Sequence, residues 1–572
     1  LLSAAVRSLA GSEDEIDGGF GAAPKFPPSA VLEFLIRHAA VASETSEAAG
    51  DLAGRTLAAM SRSALFDQLA GGFARYSVTR DWSVPHFEKM LYDNAQLLRV
   101  YVHWVRLGGN AEYPAGEAAE VAGRTADWLL ASLGLTAEPA DGPQGPGRSA
   151  GPGAGAGAGA HGPRRPASPD ALASSLDADT VVDGVNSEGA SYLWTTAELQ
   201  ELLGPADGPA VAQLMNVHAR GTVSADGSPL HPGRALLREE AARWQRARLL
   251  LLEARSRRPM PARDDKVVAG WNGLAVAALA EAGAVLDRPE LLDAAERIAG
   301  YLERVHWREA SGGQPGTLVR VSHAGEARGI GGLLEDYAFC ADGLLSLYAA
   351  SGHTRWYGLA EDILAAARAR FAADGTLADT AGDSEQVFNA QGGRAALDPF
   401  DNATPSGAAA FAGALLAYSA LSGSSEHRAM AGNILSLLPP LAARAPRAAG
   451  WLLATAQAAL AGPVEAAVVG PDTSERRALH RELLLSASPG LVIALQDPAL
   501  QDAAFQDPAF QDPALQDPAA GPSVPLLSVP LLRGREAAPD GAPQVFLCRG
   551  MLCELPVGSV AKLRERLAAM TF

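Results

Sequence analysis

The stretch VPHFEKMLYDNAQLL, residues 84–98, sets His86, Glu88, Lys89 and Asp93 directly ahead of an apolar run at helical spacing. Apolar residues then recur every three or four positions over 94–108, which predicts an amphipathic helix there. Asp93 or Asn94 is placed to cap it, with His86, Glu88 and Tyr92 at its positive end. The same period extends outward in both directions. It recurs over 30–40, 116–133, 236–254, 272–286, 289–306, 333–350, 354–371, 405–421 and 426–442. Thr195 and Thr196 precede AELQELLG, and Asp287 with Pro289 precedes ELLDAAERIAGYL, as helix starts. Helical hairpins in such number close into a toroid or stack as a solenoid. No motif repeats at a fixed period, so the toroid is the better reading.

Two segments interrupt the pattern. Residues 138–170 are rich in Gly, Pro and Ala and read as a flexible insertion. Residues 495–519 repeat Gln-Asp-Pro, and a proline at every fifth position excludes both helix and central strand. From 463 to 572 the period changes. VEAAVVG, LVIAL and QVFLC are strand-like and alternate with helical SERRALHRELLL and GSVAKLRERLAAM, which predicts a small α/β unit after a helical body over 1–462.

The chain has 572 residues, a formal charge of −18 and 20% charged residues. This is a globular composition, and an acidic one that argues against nucleic acid or an anionic membrane as partner. No apolar run reaches the length of a membrane span. The start carries no signal peptide and no initiating Met, which reads as a fragment. Cys340, Cys548 and Cys553 are too few for a disulfide framework, so a reducing cytoplasm and free thiols are expected. No Cys or second His stands at metal-ligand spacing, and no cofactor is expected.

Lysine is nearly absent, with Lys25, Lys89, Lys266 and Lys562 against 43 arginines. That bias, like the abundance of Ala and Gly, reads as a property of the genome. Three of the four lysines stand in polar-aromatic clusters, where a compact ammonium is needed and a guanidinium will not serve. APKFP holds Lys25 and Phe26. RDDKVVAGWNG holds Asp265, Lys266, Trp271 and Asn272, and an indole beside acids suits sugar stacking. LDADTVVDGVNSEGASYLWT places Asp177 and Asp179 two apart, hence on one side of an extended segment, with Glu188 beyond a turn. GGLLEDYAF supplies Glu335, Asp336 and Tyr337, and FDNATPSG supplies Asp401 and Ser406. All fall near the starts of alternate helices, which a toroid gathers into one funnel.

In this order, GGFGAAPKFP, GGFARYSVTRDWSVPHFEKMLYDNAQL, DAD…EGASYLWT, DDKVVAGWNGL, LLEDYAF and ATPSG resemble the motifs of the spermatogenesis-associated protein 20 family and its bacterial thioredoxin-domain-containing homologues. The resemblance spans roughly 12 to 462 and continues through VFLCRGMLCELP. It implies an (α/α)6 toroid of the six-hairpin glycosidase type with a small C-terminal α/β unit, so the fold class is mainly α. It also implies a thioredoxin-like domain that this chain lacks. Where the family carries Asn-Ser after PSG, Ala408 and Ala409 stand here. The fold is shared with glycoside hydrolases and sugar epimerases, which is an analogy and not a reaction. The expected activity is carbohydrate processing, as hydrolysis by paired carboxylates drawn from Asp93, Asp177, Asp179, Asp265, Glu335, Asp336 and Asp401. Epimerisation through His86 and a non-catalytic sugar- or client-binding module are the alternatives. The expected catalytic set is Asp93, His86, Asp179, Asp265 and Asp336. Lys25, Phe26, Glu88, Lys89, Tyr92, Asp177, Lys266, Trp271, Asn272, Glu335, Tyr337, Asp401 and Ser406 are expected to bind a small-molecule carbohydrate.

Overall fold

The computed structural model describes residues 1–136, 169–224, 227–372, 375–382, 389, 397–496 and 529–570. Nearly all of the Gly/Pro/Ala insertion and of the Gln-Asp-Pro repeat lies outside the described residues.

In chain order the helices are α1 (Leu2–Ala10), α2 (Ser29–Ala39), α3 (Ser46–Ser61), α4 (Leu91–Leu107), α5 (Ala115–Ser132), α6 (Thr196–Leu214) and α7 (Arg238–Arg255). They continue as α8 (Ala269–Val285), α9 (Pro289–Tyr301), α10 (Leu334–Ser351), α11 (Thr354–Phe371), α12 (Gly407–Ser422), α13 (Ser425–Leu435), α14 (Leu438–Arg444) and α15 (Gly450–Ala461). The last two are α16 (Ser474–Leu484) and α17 (Val560–Met570). Helix α2 packs on α4, α4 on α8, α8 on α10, α10 on α12, α12 on α15, and α15 returns to α2, closing a ring of six. Helices α3, α5, α9, α11 and α13 each pack outside the inner helix before them, and α1 lies against α3 and α14. The molecule is therefore an (α/α)6 toroid.

Burial follows from this layering. Helix α8 is buried on every side apart from Trp271 and Ala284, as a helix ringed by other helices must be. The outer α9 buries only Leu291, Ala294, Ala295, Ile298, Ala299 and its last two residues, Gly300 and Tyr301, an amphipathic stripe. Some of the glycine is structural and not a bias of the genome. A Cβ on Gly343 of α10 would lie 2.4 Å from the Gly273 carbonyl oxygen of α8. Gly343→Ala must push these two inner helices apart and is expected to cost about 1–3 kcal/mol in chemical denaturation. Gly432 in α13 has open space around it, so Gly432→Ala should be neutral or stabilising by up to ~1 kcal/mol.

The expected helices are present with shifted ends. The helix expected from 94 begins at Leu91, so Asp93 and Asn94 are its third and fourth residues and neither caps it. Asp287 does not cap α9 either; it takes a left-handed φ of 58° and pairs with Arg481 at 3.0 Å. Thr195 does cap α6, accepting from Glu198 N at 3.1 Å while Glu198 accepts from Thr195 N. The segment expected over 426–442 is divided into α13 and α14. No helix is long and apolar enough to cross a membrane among the described residues.

After the toroid, strand Glu465–Val469 pairs parallel with Val492–Leu495 and antiparallel with Gln544–Arg549, which turns back through Leu552–Cys553. Helices α16 and α17 cover this sheet. The unit sits on the C-terminal ends of inner helices: α16 meets α8, and Val492–Leu495 meets α10 and α12. Cys548 and Cys553, expected to be free thiols, are joined in a disulfide. They stand directly opposite each other across the last hairpin, and Arg535 donates to Cys553 Sγ at 2.9 Å. Cys340 is free and buried. Alkylation of the native, non-reduced protein should therefore label neither Cys548 nor Cys553; modification of either would show the pair reduced.

Candidate functional site

Contacts between helix starts place all six inner N-termini at one mouth. Gly450 of α15 touches the Ala30 backbone of α2. Asp401 accepts from Ser406 N just before α12 and from Trp451 N in α15, at 2.9 and 2.8 Å. Gly407 lies against Glu335 N, Asp336 accepts from Gly270 N at 3.2 Å, and Trp271 stands edge-on to Tyr92 at 4.8 Å between ring centres.

At this mouth α4 presents Tyr92 and Asp93. Asp93 is 5% exposed, and its Oδ2 is buried without a hydrogen-bond partner among the described residues. Burial pushes its carboxyl well above the ordinary range; Arg75 pulls the other way, and Glu88 adds to the rise. A carboxyl in that position holds its proton at a pH where exposed aspartates have lost theirs. Glu88 is fixed by Arg75 at 3.0 Å. His86 Nδ1 meets Glu188 at 2.7 Å, and its Nε2 faces Glu88 at 3.9 Å. Tyr76 is the cross-strand partner of His86, and the two rings stack at 4.8 Å. Phe26, 53% exposed, continues the ladder at 4.8 Å from Tyr76. Gln96, one turn along α4, donates to Ala403 O at 2.8 Å and so holds the loop of ATPSG over the helix start.

Phe26, His86, Glu88, Tyr92, Asp93 and Trp271 are thus gathered. Arg75, Tyr76, Glu188 and Gln96 join them from within stretches read in the sequence without being singled out as site residues. Asp177 and Asp179 are both exposed while Ala178 and Thr180 are buried, the one-sided arrangement expected. Asp179 lies opposite Glu188 in the hairpin that delivers Glu188 to His86.

Other expected residues hold the fold. Lys25 Nζ donates to Asp14 at 2.5 Å and to Gly18 O at 2.8 Å, sealed beneath Trp82. Lys89 Nζ donates to Asp67 and to Gly71 O, both at 3.0 Å, between the rings of Trp128 and Tyr192. Asn272 brackets the Leu172 peptide, accepting from its N–H at 2.9 Å and donating to its carbonyl at 3.0 Å. Asn94 does the same to Phe73. Each is the fourth residue of its inner helix. Tyr337, fourth in α10, accepts from Leu318 N. Asp336 accepts from Arg320 at 2.5 Å and from Leu333 N at 2.9 Å, and burial lifts it to about 6. Burial likewise lifts Asp401 to about 6 against its two backbone donors. Glu335 pairs with Arg320, and Ser406 caps α12. Asp265 and Lys266 make surface pairs with Arg263 and Asp264.

No protein-family model matches the chain. Human spermatogenesis-associated protein 20 is 32% identical over 386 residues, covering 60% of this chain and 43% of that protein. The chain is similar to spermatogenesis-associated protein 20. The family resemblance read from the ordered motifs is therefore borne out, and the mouse spermatogenesis-associated protein 20 is likewise 32% identical over 386 residues. An uncharacterised protein of Caenorhabditis elegans is 28% identical over 369 residues, 59% of this chain and 45% of its own. The chain spans less than half the length of these relatives. Among solved structures, cellobiose 2-epimerase from Spirochaeta thermophila matches at a TM-score of 0.41 and 14% identity, over 76% of this chain and 81% of that one.

Proposed function

We propose that the N-terminal mouth binds a small carbohydrate and carries out acid–base chemistry on it, with Asp93 as the acid. The observation that carries this reading is the buried Asp93 Oδ2 with no partner among the described residues. A buried polar atom left unpaired costs about 1–3 kcal/mol, a cost that a bound hydroxyl or glycosidic oxygen removes. The exposed Phe26–Tyr76–His86 ladder and the Trp271 ring offer apolar faces to sugar C–H groups, and Glu88 and Glu188 accept from hydroxyls.

Two proton acceptors belong to the same cluster. Glu88, fixed by Arg75, makes a carboxylate pair with Asp93 and serves glycoside hydrolysis. His86, oriented by Glu188, serves removal of a proton from a sugar carbon, as epimerisation requires. Incubation with a saccharide panel in D2O, followed by NMR, separates these. New reducing ends identify hydrolysis, and deuterium at a ring carbon identifies epimerisation. Trp271 fluorescence that responds to a sugar without either change would make the mouth a binding module. No response to any sugar would remove the carbohydrate reading.

A further inference from the structure

The toroid also encloses a cavity of about 210 Å³ beneath the C-terminal unit. Its walls come from all six inner helices, from Trp451 near the start of α15 to Arg106 near the end of α4, and residues of the 483–493 stretch roof it. One wall is apolar, with Phe339, Leu345, Trp451 and Val492. The other is a chain of charge crossing four inner helices. His103 Nδ1 meets Glu33 at 2.7 Å, and its Nε2 meets Glu281 at 2.5 Å. Arg99 bonds Glu281 and Asp342 at 2.9 and 2.5 Å, Arg106 bonds Glu281 at 2.6 Å, and Arg37 bonds Glu33 at 2.6 Å.

A histidine with a carboxylate on each ring nitrogen must donate from both, and so is an imidazolium. Burial works against that charge, but Glu33 and Glu281 outweigh it and hold His103 above its ordinary value. Arg37, Arg99, His103 and Arg106 then stand against Glu33, Glu281 and Asp342, leaving one positive charge without a counterpart among the described residues. That charge has a direction. Arg106 gives Nη1 to Glu281, while its Nε is buried without an acceptor. With Nε closed off, Nη2 is the charged donor that Arg106 offers to the chamber it lines.

We infer that this chamber is a binding site for a small organic monocarboxylate, its carboxylate on Nη2 of Arg106 and its body against Phe339 and Trp451. One negative charge matches the one uncompensated positive charge, and the volume is below the 300–1,000 Å³ usual for drug-sized ligands. The site is independent of the mouth and of the reading given to it.

The test is calorimetric titration of the full chain with benzoate and pyruvate, using inorganic phosphate and glucose as comparisons. Millimolar or tighter binding of a carboxylate, with weaker binding of phosphate and none of glucose, is the expected result. Arg106→Gln removes the uncompensated charge and should weaken binding about tenfold or more. Gly413 lines the chamber, and a Cβ there meets only Thr455 and Trp451 at ordinary contact distance. Gly413→Leu should therefore fill the chamber and abolish binding with little change in thermal unfolding. Absence of carboxylate binding, binding that survives both substitutions, or phosphate binding more tightly than either carboxylate would overturn the assignment.

Discussion

Asp93→Asn is expected to lower turnover of the responsive saccharide by about 10²–10⁴-fold, the usual contribution of a positioned acid, while the protein stays folded. An amide fills the space of a neutral carboxyl but has no acidic proton to give. The pH dependence of stability gives a second readout. Burial raises Asp93 above its unfolded value, so the folded chain retains a proton that the unfolded chain releases. The stability this provides is fully present below the unfolded value, near pH 4, and is lost as pH rises through the folded value. Asparagine does not titrate. Asp93→Asn should therefore gain on the wild type as pH rises, so that the variant is inactive yet relatively more stable at neutral pH. Equal loss of activity and stability at every pH would reduce Asp93 to a packing residue.

The second large effect lies outside the mouth. Asp67 accepts from Lys89 at 3.0 Å and from Arg255 at 2.8 Å, and all three side chains are at least nine-tenths buried. Burial disfavours its charge, but the Arg255 and Lys89 cations hold its carboxyl well below the ordinary range. Asp67→Ala leaves two buried cations facing each other under Tyr192 and is expected to cost about 3–5 kcal/mol in denaturant unfolding. Lys89→Arg should also destabilise, because the pocket closed by Trp128, Tyr192 and the Gly71 carbonyl fits an ammonium. Lys266→Arg, in a half-exposed pair with Asp264, should change stability by no more than ~0.5 kcal/mol. Equal tolerance of arginine at 89 and 266 would contradict this account of the surviving lysines.

Lys25 and Lys89 also show how far the sequence could be read. Their rarity marks them as singular positions, but rarity does not distinguish a ligand contact from a sealed ion pair. Both are sealed ion pairs. Asn94 and Asn272 stand in stretches that read as site motifs because polar residues gather at helix starts. Their common role, bracketing a peptide of the preceding segment, appears only when both occupy the fourth position of parallel inner helices. The toroid itself was legible, because its helices are long, the outer ones amphipathic and the inner ones nearly continuous apolar runs, although α15 was not among the stretches read as helical. The disulfide was not, because three cysteines say nothing of the hairpin that sets Cys548 against Cys553. Glu33, His103 and Glu281 were also beyond reach. They lie on three helices, and each reads alone as a polar position on an amphipathic face. At the mouth, His86 with Glu188 joins residues 102 positions apart, a pairing that only the hairpin register determines.

The carbohydrate reading rests on Asp93 being an acid that keeps its proton. Protein labelled with ¹³C at the aspartate carboxyl, titrated by NMR and assigned by the difference from Asp93→Asn, measures this directly. The account predicts one signal with the shift of a protonated carboxyl persisting well above the range, near pH 4, in which exposed aspartates ionise. A signal from Asp93 that titrates within that range would contradict it.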